Sequence, residues 1–309
     1  MTTAWTRRAF GMLLAAGAMA AGAQDFPNRP IRVVVGFAPG GGGDSVARVM
    51  AEHMSRTLKQ QVIVENKPGA GTTLAPAAVA AAAPDGYTLL LAPDSVFGPD
   101  KAMWAPNVKY DETSFTPISR WASTFFVLAA NKDYGVRTVA ELLAKAKAKA
   151  NKGELFVGST QGLYPALIME NFHRLSGVKL NQVPYKGGAP AVVAVVGGEV
   201  PATFAVPSSV MPMVKEGKLH ALAITSANRS PLAEGVPTLA ESGLKGFEVG
   251  YWFGLAGPAG LPPDVAQKLF DASVAALADP GVRAKLHMMG YEPAPSKSVA
   301  EFRTQAVQE

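Results

Sequence analysis

Apolar positions along this chain change period repeatedly, from near-continuous runs to a helical spacing and back. Ile31, Val33, Val34 and Val35 form a β-branched run of the kind buried on both faces of a parallel sheet. Over residues 44–59, Val46, Ala47, Met50, Met54 and Leu58 fall on one helical face. Val62, Ile63 and Val64 predict the next strand, closed by the turn signal Asn66, Lys67, Pro68 and Gly69. An Ala-rich helix over 74–83 stops at Pro84, Asp85 and Gly86, and residues 87–91 read as a third strand. This alternation predicts a parallel sheet with helices on both faces.

A second α/β unit begins near Phe125, Phe126, Val127 and Leu128. Thr138 and Glu141 form a capping box that opens a Lys/Ala-rich helix running to Ala150. Lys145, Lys147 and Lys149 then make a solvated face. Further strands are predicted at 155–157, 181–183, 202–204 and 219–224, with helices at 165–175 and 189–196. Beyond Thr225 come a Pro/Gly-rich stretch, an aromatic strand at 251–255, and helices at 263–277, 280–289 and from Ser298 onward. These last helices have no sheet of their own, so they are expected to pack back on the first lobe. The chain then crosses twice between two lobes, with a cleft between them. Trp104, Trp121 and Trp252 read as packing residues.

The first 23 residues stand outside this scheme. Arg7 and Arg8 precede an uncharged Ala/Gly/Met/Leu run over 9–22, and Ala21, Gly22 and Ala23 fit the small-x-small rule for signal cleavage. Thr6, Arg7, Arg8, Ala9 and Phe10 fit a twin-arginine export signal as well as an ordinary secretory one. The run is too short and too rich in small side chains for a membrane span, so no membrane insertion is expected after cleavage. Residues 24–309 are too many for one compact core and predict two lobes. Cleavage takes two units from a formal charge of +5, and no Lys/Arg cluster is interleaved with aromatics, so nucleic acid is not an expected partner. The chain has no cysteine, which removes disulfides, thiolate metal sites and a Cys nucleophile together. Its hydrophobic fraction of 48% makes a fold held by burial alone feasible.

The segment 36–44 leaves a buried strand and enters a helix through Gly40, Gly41, Gly42 and Gly43. Glycine lets backbone approach a ligand closely, and the helix N-terminus offers free N–H groups and a positive dipole end to an anion. Neither a dinucleotide fingerprint nor a P-loop fits these positions. A tight turn without a ligand is the alternative, but four successive glycines exceed what a turn needs. Residues 158–162 repeat the logic: a strand, then Ser159, Thr160 and Gln161 as hydrogen-bonding groups, then a helix entered at Tyr164 and Pro165. One such loop in each lobe makes a two-jaw clamp for a carboxylate. Catalytic chemistry finds little support. His53, His173, His220 and His287 are scattered without zinc spacing, and Gly158 to Gly162 lacks the central serine of a nucleophile elbow. No catalytic residue, metal or cofactor is expected.

Several stretches then resemble one family in order along the chain. They are residues 37–44 with Ala47 and Arg48, residues 64–71, 83–90 and 183–187, Gly217 to Leu219 with 221–223, and Val236, Pro237 and Thr238. Trp252, Phe253, Gly254 and Leu255, with Pro258, Ala259 and Gly260, complete the series. They are similar to the signatures of the Bug family, extracytoplasmic solute receptors associated with tripartite tricarboxylate transporters. The resemblance implies a flytrap of the periplasmic binding protein type II kind, with two parallel-rich α/β lobes joined by a two-strand hinge. Lobe 1 is expected over 24–122 and 226–309 and lobe 2 over 123–225, with the return crossing somewhere between 220 and 255.

The resemblance also implies a ligand-binding set, carried over by position. It comprises Phe37, Ala38, Pro39, Gly40, Gly41, Gly42, Asp94 and Ser95 from the first lobe. From the second come Gly158, Ser159, Thr160, Gln161, Gly162, Tyr164, Ala205 and Ser208. This sequence departs from the family where relatives carry a small hydroxyl residue near Leu163 and Tyr164, a histidine near Ala166, and acidic residues near Pro201 and Ala205. The last helix also ends earlier than is usual. A second jaw without those carboxylates disfavours an ammonium-bearing ligand and suits an acid with an apolar or aromatic body. The implied protein is a monomeric periplasmic receptor that hands a small organic acid to the membrane permease subunits of such a transporter. A same-fold sensor feeding a signalling partner is the alternative, and a periplasmic hydrolase using Ser159 is a third.

Overall fold

The computed structural model describes residues 26–98, 108–148, 153–160 and 163–308. The expected signal segment with its cleavage after Ala23, and Trp104 and Lys149, lie outside the described residues. Two sheets organise the chain. In order come β1 (Ile31–Val35), α1 (Gly42–Leu58), β2 (Val62–Asn66), α2 (Leu74–Ala80), β3 (Thr88–Pro93) and β4 (Phe115–Phe125). Next are β5 (Val127–Asn131), α3 (Val139–Lys147), β6 (Glu154–Ser159), α4 (Leu163–Ser176), β7 (Lys179–Pro184), α5 (Gly188–Val196), β8 (Ala202–Ala205), α6 (Pro207–Lys215) and β9 (Leu219–Ile224). The chain closes with β10 (Gly250–Pro258), α7 (Pro263–Ala278), α8 (Pro280–Met288), β11 (Glu292–Pro293) and α9 (Val299–Gln308).

The first sheet runs β11-β4-β10-β3-β1-β2 and the second β7-β6-β8-β5-β9. β1 pairs in parallel with β2 and β3, as the continuous apolar runs predict, while β10 is antiparallel to both β3 and β4. In the second sheet β6 is parallel to β7 and β8, and β5 is antiparallel to β8 and β9. Besides the two-residue β11, β4 and α6 escaped the sequence pattern. β4 carries Pro117, Arg120 and several hydroxyl residues, yet it is almost wholly buried, because Thr116 and Thr124 bond to the carbonyls of Pro258 and Gly290 at 3.1 and 2.7 Å. α6 begins on Pro207 and contains Pro212, so it reads as a loop; Pro207 sits at the helix start, where a missing N–H costs nothing.

The core of the first sheet takes in the C-terminal helices. Leu269, Phe270 and Leu277 of α7 and Val282 and Leu286 of α8 join Ile31, Val33, Met50, Met54 and Trp121 in one buried cluster. Trp121 also donates its indole N–H to Ser273 at 3.0 Å, as a packing residue does, whereas Trp252 stacks on Phe97 and also borders a cavity. A separate cluster around Leu128, Val157, Phe172 and Phe204 fills the second sheet.

The strand directions decide where a ligand can lie. β4 ends at Phe125 and β5 starts at Val127, so one residue, Phe126, separates the two sheets. Because β4 runs with β1 and β3, their C-terminal ends share the edge that Phe126 leaves. β5 runs against β8, so its start shares an edge with the C-terminal ends of β6, β7 and β8. These are the edges where open α/β sheets receive ligands. Thr225 staples the two crossings together. Its N–H donates to Phe126 O at 2.9 Å, and its hydroxyl accepts from Phe126 N at 2.8 Å and donates to Val249 O at 2.5 Å.

Candidate functional site between the two sheets

The glycine loop leaves the C-terminal edge of the first sheet and is held from below by Asp44. This side chain is 3% exposed and accepts from Gly40 N at 2.9 Å, Arg48 Nε at 2.9 Å and Asn66 Nδ2 at 2.8 Å. Asn66 Nδ2 also donates to Phe37 O at 3.0 Å, and Arg48 to Asn66 Oδ1 at 3.0 Å. Burial works to raise the Asp44 pKa, but the bonds from Arg48, Gly40 and Asn66 outweigh it and hold the carboxyl below its ordinary 3.8. Asp44 and Arg48 neutralise each other, so any preference for an anion comes from backbone dipoles. The amides of Gly42 and Gly43 stand in the first turn of α1, with no carbonyl one turn back to reach.

Each glycine of the loop has a reason in the fold itself. Gly40 sits at φ +80°. A Cβ on Gly43 would lie 2.5 Å from the Phe37 ring, and one on Gly42 would collide with the Tyr291 hydroxyl. Gly41 faces the Ala38 carbonyl at 3.1 Å. The number of glycines therefore does not by itself count towards a ligand. What they achieve is close approach of the helix start to Phe37 and Tyr291.

From there an unbroken aromatic array spans both sheets. Phe37 meets Phe253 edge-on at 5.3 Å, Phe253 meets Tyr251 at 5.5 Å, and Tyr251 meets Tyr164 at 5.0 Å and Phe126 at 6.0 Å. Tyr291 packs on both Tyr251 and Phe253, and its hydroxyl is 3.3 Å from that of Tyr251. Only one proton can lie between two hydroxyls, so the pair retains one O–H for a further acceptor beside Gly42. Burial pushes both phenols above 10, well above for Tyr251, so both remain neutral donors near neutral pH. Sequence reasoning missed Tyr251 and Tyr291; the signal available was an aromatic at the sheet edge and another directly after Gly290.

The second jaw differs from expectation in its hydroxyls. Ser159 is buried; its hydroxyl donates to Thr160 O at 3.2 Å and accepts from Gln182 Nε2 at 2.8 Å. It is thus bonded to its own loop and to β7, and its side-chain partner is an amide, not an imidazole. Gly158 is close-packed, 3.2 Å from Tyr185 and Val200 at its Cβ position. Gln161 and Gly162 lie outside the described residues. Ala205 is buried, while Ser208 is exposed and its hydroxyl sits 2.9 Å from the Cβ position of Gly290 across the interface. Tyr164 reaches furthest: its hydroxyl donates to Asp94 Oδ1 at the end of β3, which also accepts from Ser95 N at 2.8 Å. Ser95 itself is buried, and Ala38 and Pro39 are exposed.

A cavity of about 850 Å³ adjoins these residues on one side of the crossing strands. Asp94, Tyr164 and Tyr251 line it together with Arg120, Asn171 and Trp252, whereas Phe37 and the glycine loop do not. The tyrosine array therefore connects the cavity to the glycine loop. Among the described residues no group of acidic or histidine side chains could hold a metal ion, and no helix is long and apolar enough to cross a membrane.

The comparisons with known proteins agree on one kind of molecule. Residues 46–308 match the family model described as tripartite tricarboxylate transporter family receptor. Protein BugT of Bordetella pertussis is 36% identical over 259 residues, covering 82% of this chain and 79% of BugT. The structure of MatC from Rhodopseudomonas palustris with bound malate is 33% identical, with a TM-score of 0.70 over 92% of this chain and 99% of that one. The R. palustris protein Rpa4515 with adipate is 30% identical, with a TM-score of 0.73 over 91% and 94%.

Two outcomes check the loop. Asp44→Ala strands the Gly40 and Asn66 donors and should cost about 2–4 kcal/mol in urea unfolding near neutral pH. A depressed carboxyl stabilises fully above its unfolded value and loses that contribution as pH falls through the folded one. The gap between wild type and variant should therefore narrow as pH falls below about 4. Gly42→Ala should destabilise by about 1–3 kcal/mol through overpacking. Adding Tyr291→Phe should restore part of that loss, read as a coupling in a double-mutant cycle.

Proposed function

We propose that this chain, which belongs to the family of tripartite tricarboxylate transporter receptors, holds the carboxylate of a small organic acid at its glycine loop and carries that acid to a membrane permease. Receptors of this family are periplasmic solute-binding proteins. The observation that carries the reading is the Tyr291 hydroxyl set against Gly42 in the first turn of α1, with the Tyr251 hydroxyl 3.3 Å beyond it. A helix start favours an anion by up to about 2 kcal/mol when partly buried, and a neutral phenol adds a donor without adding charge. Malate in MatC and adipate in Rpa4515 support a carboxylate as the ligand class.

The body of the ligand would lie along Tyr251, Tyr164 and Phe126, which suits an apolar or aromatic acid. The first-jaw set of Phe37, Ala38, Pro39, Gly40, Gly41 and Gly42 is retained, with Tyr164, Asp94 and Ser95 at the far side. Ser159 supports the loop backbone in this reading. The two lobes close about the crossings at Phe126 and Val249, with Leu239, Leu244 and Phe247 packed on the second sheet, and ligand favours closure by touching both. The receptor works as a monomer after export and signal cleavage near Ala23, and its partners are the permease subunits of a tripartite tricarboxylate transporter. No reaction on the solute is required.

Native mass spectrometry of freshly purified protein should show a co-purified small acid. A thermal-shift screen over dicarboxylic, tricarboxylic and aromatic acids should then raise Tm for acids with an apolar body. A ligand at about 100 times its Kd stabilises by roughly 2.7 kcal/mol, or about 5–10 °C for a domain of this size. Tight binding of aspartate or glutamate with no response to aromatic acids would contradict the proposal.

A further inference from the structure

The turn that carries Tyr291 is held from the second lobe on both sides of that residue. Gly290 follows α8, is buried and has φ +83°. A Cβ there would lie 2.9 Å from the Ser208 hydroxyl and 3.0 Å from Ser208 Cβ and N, at the start of α6. α6 therefore seats directly on the Gly290 backbone. The carbonyl of Gly290 accepts from the Thr124 hydroxyl of β4 at 2.7 Å, which anchors the turn to the first sheet. On the other side, Glu292 pairs with Ser123 of β4, and its carboxylate accepts from the buried Ser230 hydroxyl. Ser230 also accepts from Leu232 N at 3.0 Å and opens the short turn Pro231–Ala233. Leu232 and Ala233 pack with Val127, Ala129 and Ile224 of the second sheet, so Ser230 belongs to the second lobe. Between these two contacts, Tyr291 sets its ring against Tyr251 and Phe253 and its hydroxyl against Gly42.

We infer that Gly290 and Glu292 are positioning residues: docked by Ser208 and Ser230 of the closed second lobe, they hold the Tyr291 hydroxyl in place for a carboxylate at the glycine loop. The inference rests on the reading of that loop as the carboxylate site. Rotation of the second lobe about Phe126 and Val249 withdraws Ser208 and Ser230 together and leaves the turn supported from the first sheet alone. A donor already fixed in place costs the incoming ligand less ordering entropy than one that must be fixed on binding. Closure thus raises affinity at a site to which these second-lobe residues contribute no atom. Coupling of this kind is reciprocal, so an acid bound at the loop favours the closed lobes to the same degree. Glycine is needed at 290 on two counts, the positive φ and the close approach of α6.

Titration calorimetry with adipate and 4-hydroxybenzoate tests this, using whichever acid the wild type binds more tightly. Tyr291→Phe and Glu292→Ala should each weaken binding by about tenfold, the scale of one hydrogen bond to a charged group. Glu292→Gln keeps an acceptor for Ser230 and should recover most of that loss. In the Tyr291→Phe background, Glu292→Ala should change affinity by less than about twofold, because it acts through the hydroxyl already removed. Ser230→Ala breaks the same contact from the second lobe and should repeat the result if Glu292→Ala does not fold. Gly290→Ala is compared with Gly260→Ala, which shares the positive φ (+82°) but has open space around it. Both should lose stability in urea, and only Gly290→Ala should weaken binding. Unchanged affinity in folded Glu292→Ala, or losses that add fully to that of Tyr291→Phe, overturns the inference and leaves the carboxylate site standing. If neither acid binds the wild type at millimolar concentration, the carboxylate reading itself fails and the coupling falls with it.

Discussion

A buried carboxylate holds this site in shape. Asp44 lies under the glycine loop and gathers Gly40, Arg48 and Asn66, while Asn66 reaches on to the Phe37 carbonyl. The charge that makes this possible is cancelled locally by Arg48, so the network fixes the loop without spoiling it for an anion. An unpaired charge at such a position would be costly. With the pair in place, the first turn of α1 presents its amides at the edge of the sheet, and Phe37 is set against the start of the helix.

From that fixed point the aromatic array carries order across the molecule. Phe37, Phe253, Tyr251 and Tyr164 are in ring contact in succession, and they pass from the first sheet through a crossing strand to the second. Thr225 ties the two crossings at the same level, where Phe126 and Val249 change sheets. The site and the hinge are therefore built from neighbouring residues. A ligand that touches Tyr164 and the glycine loop together touches both sheets, and this is the structural requirement for coupling binding to closure.

Much of the fold was legible in the sequence because its strands are buried on both faces. Ile31, Val33, Val34 and Val35 announce a parallel strand by apolarity alone, and the Thr138 capping box forms as expected, with Glu141 N donating to the Thr138 hydroxyl at 3.2 Å. β4 was hidden because its buried hydroxyls find partners only in distant segments, which no local pattern reveals. α6 was hidden by its two prolines. At the candidate site, the glycine run was legible but the reason for it was not. Gly43 and Gly42 are demanded by Phe37 and Tyr291, 6 and 249 positions away in the chain, and so the tyrosine pair could not be read from spacing. Tyr164 was legible as a departure from the family pattern, but its bond to Asp94 is a tertiary fact. Ser159, expected as a ligand donor, bonds to Thr160 O and to Gln182 of β7, contacts that no local pattern gives.

The central claim is that a ligand carboxylate sits on the first-turn amides of α1. Amide NMR of protein labelled with 15N-glycine tests it directly, with an acid and its matched alcohol, such as 4-hydroxybenzoate and 4-hydroxybenzyl alcohol, titrated in turn. The resonances of Gly42 and Gly43 should move downfield with the acid and stay in place with the alcohol, as expected for N–H groups that donate to an anion. Saturable binding of the acid that leaves both glycine amides unmoved would contradict the claim and transfer the ligand to another part of the molecule.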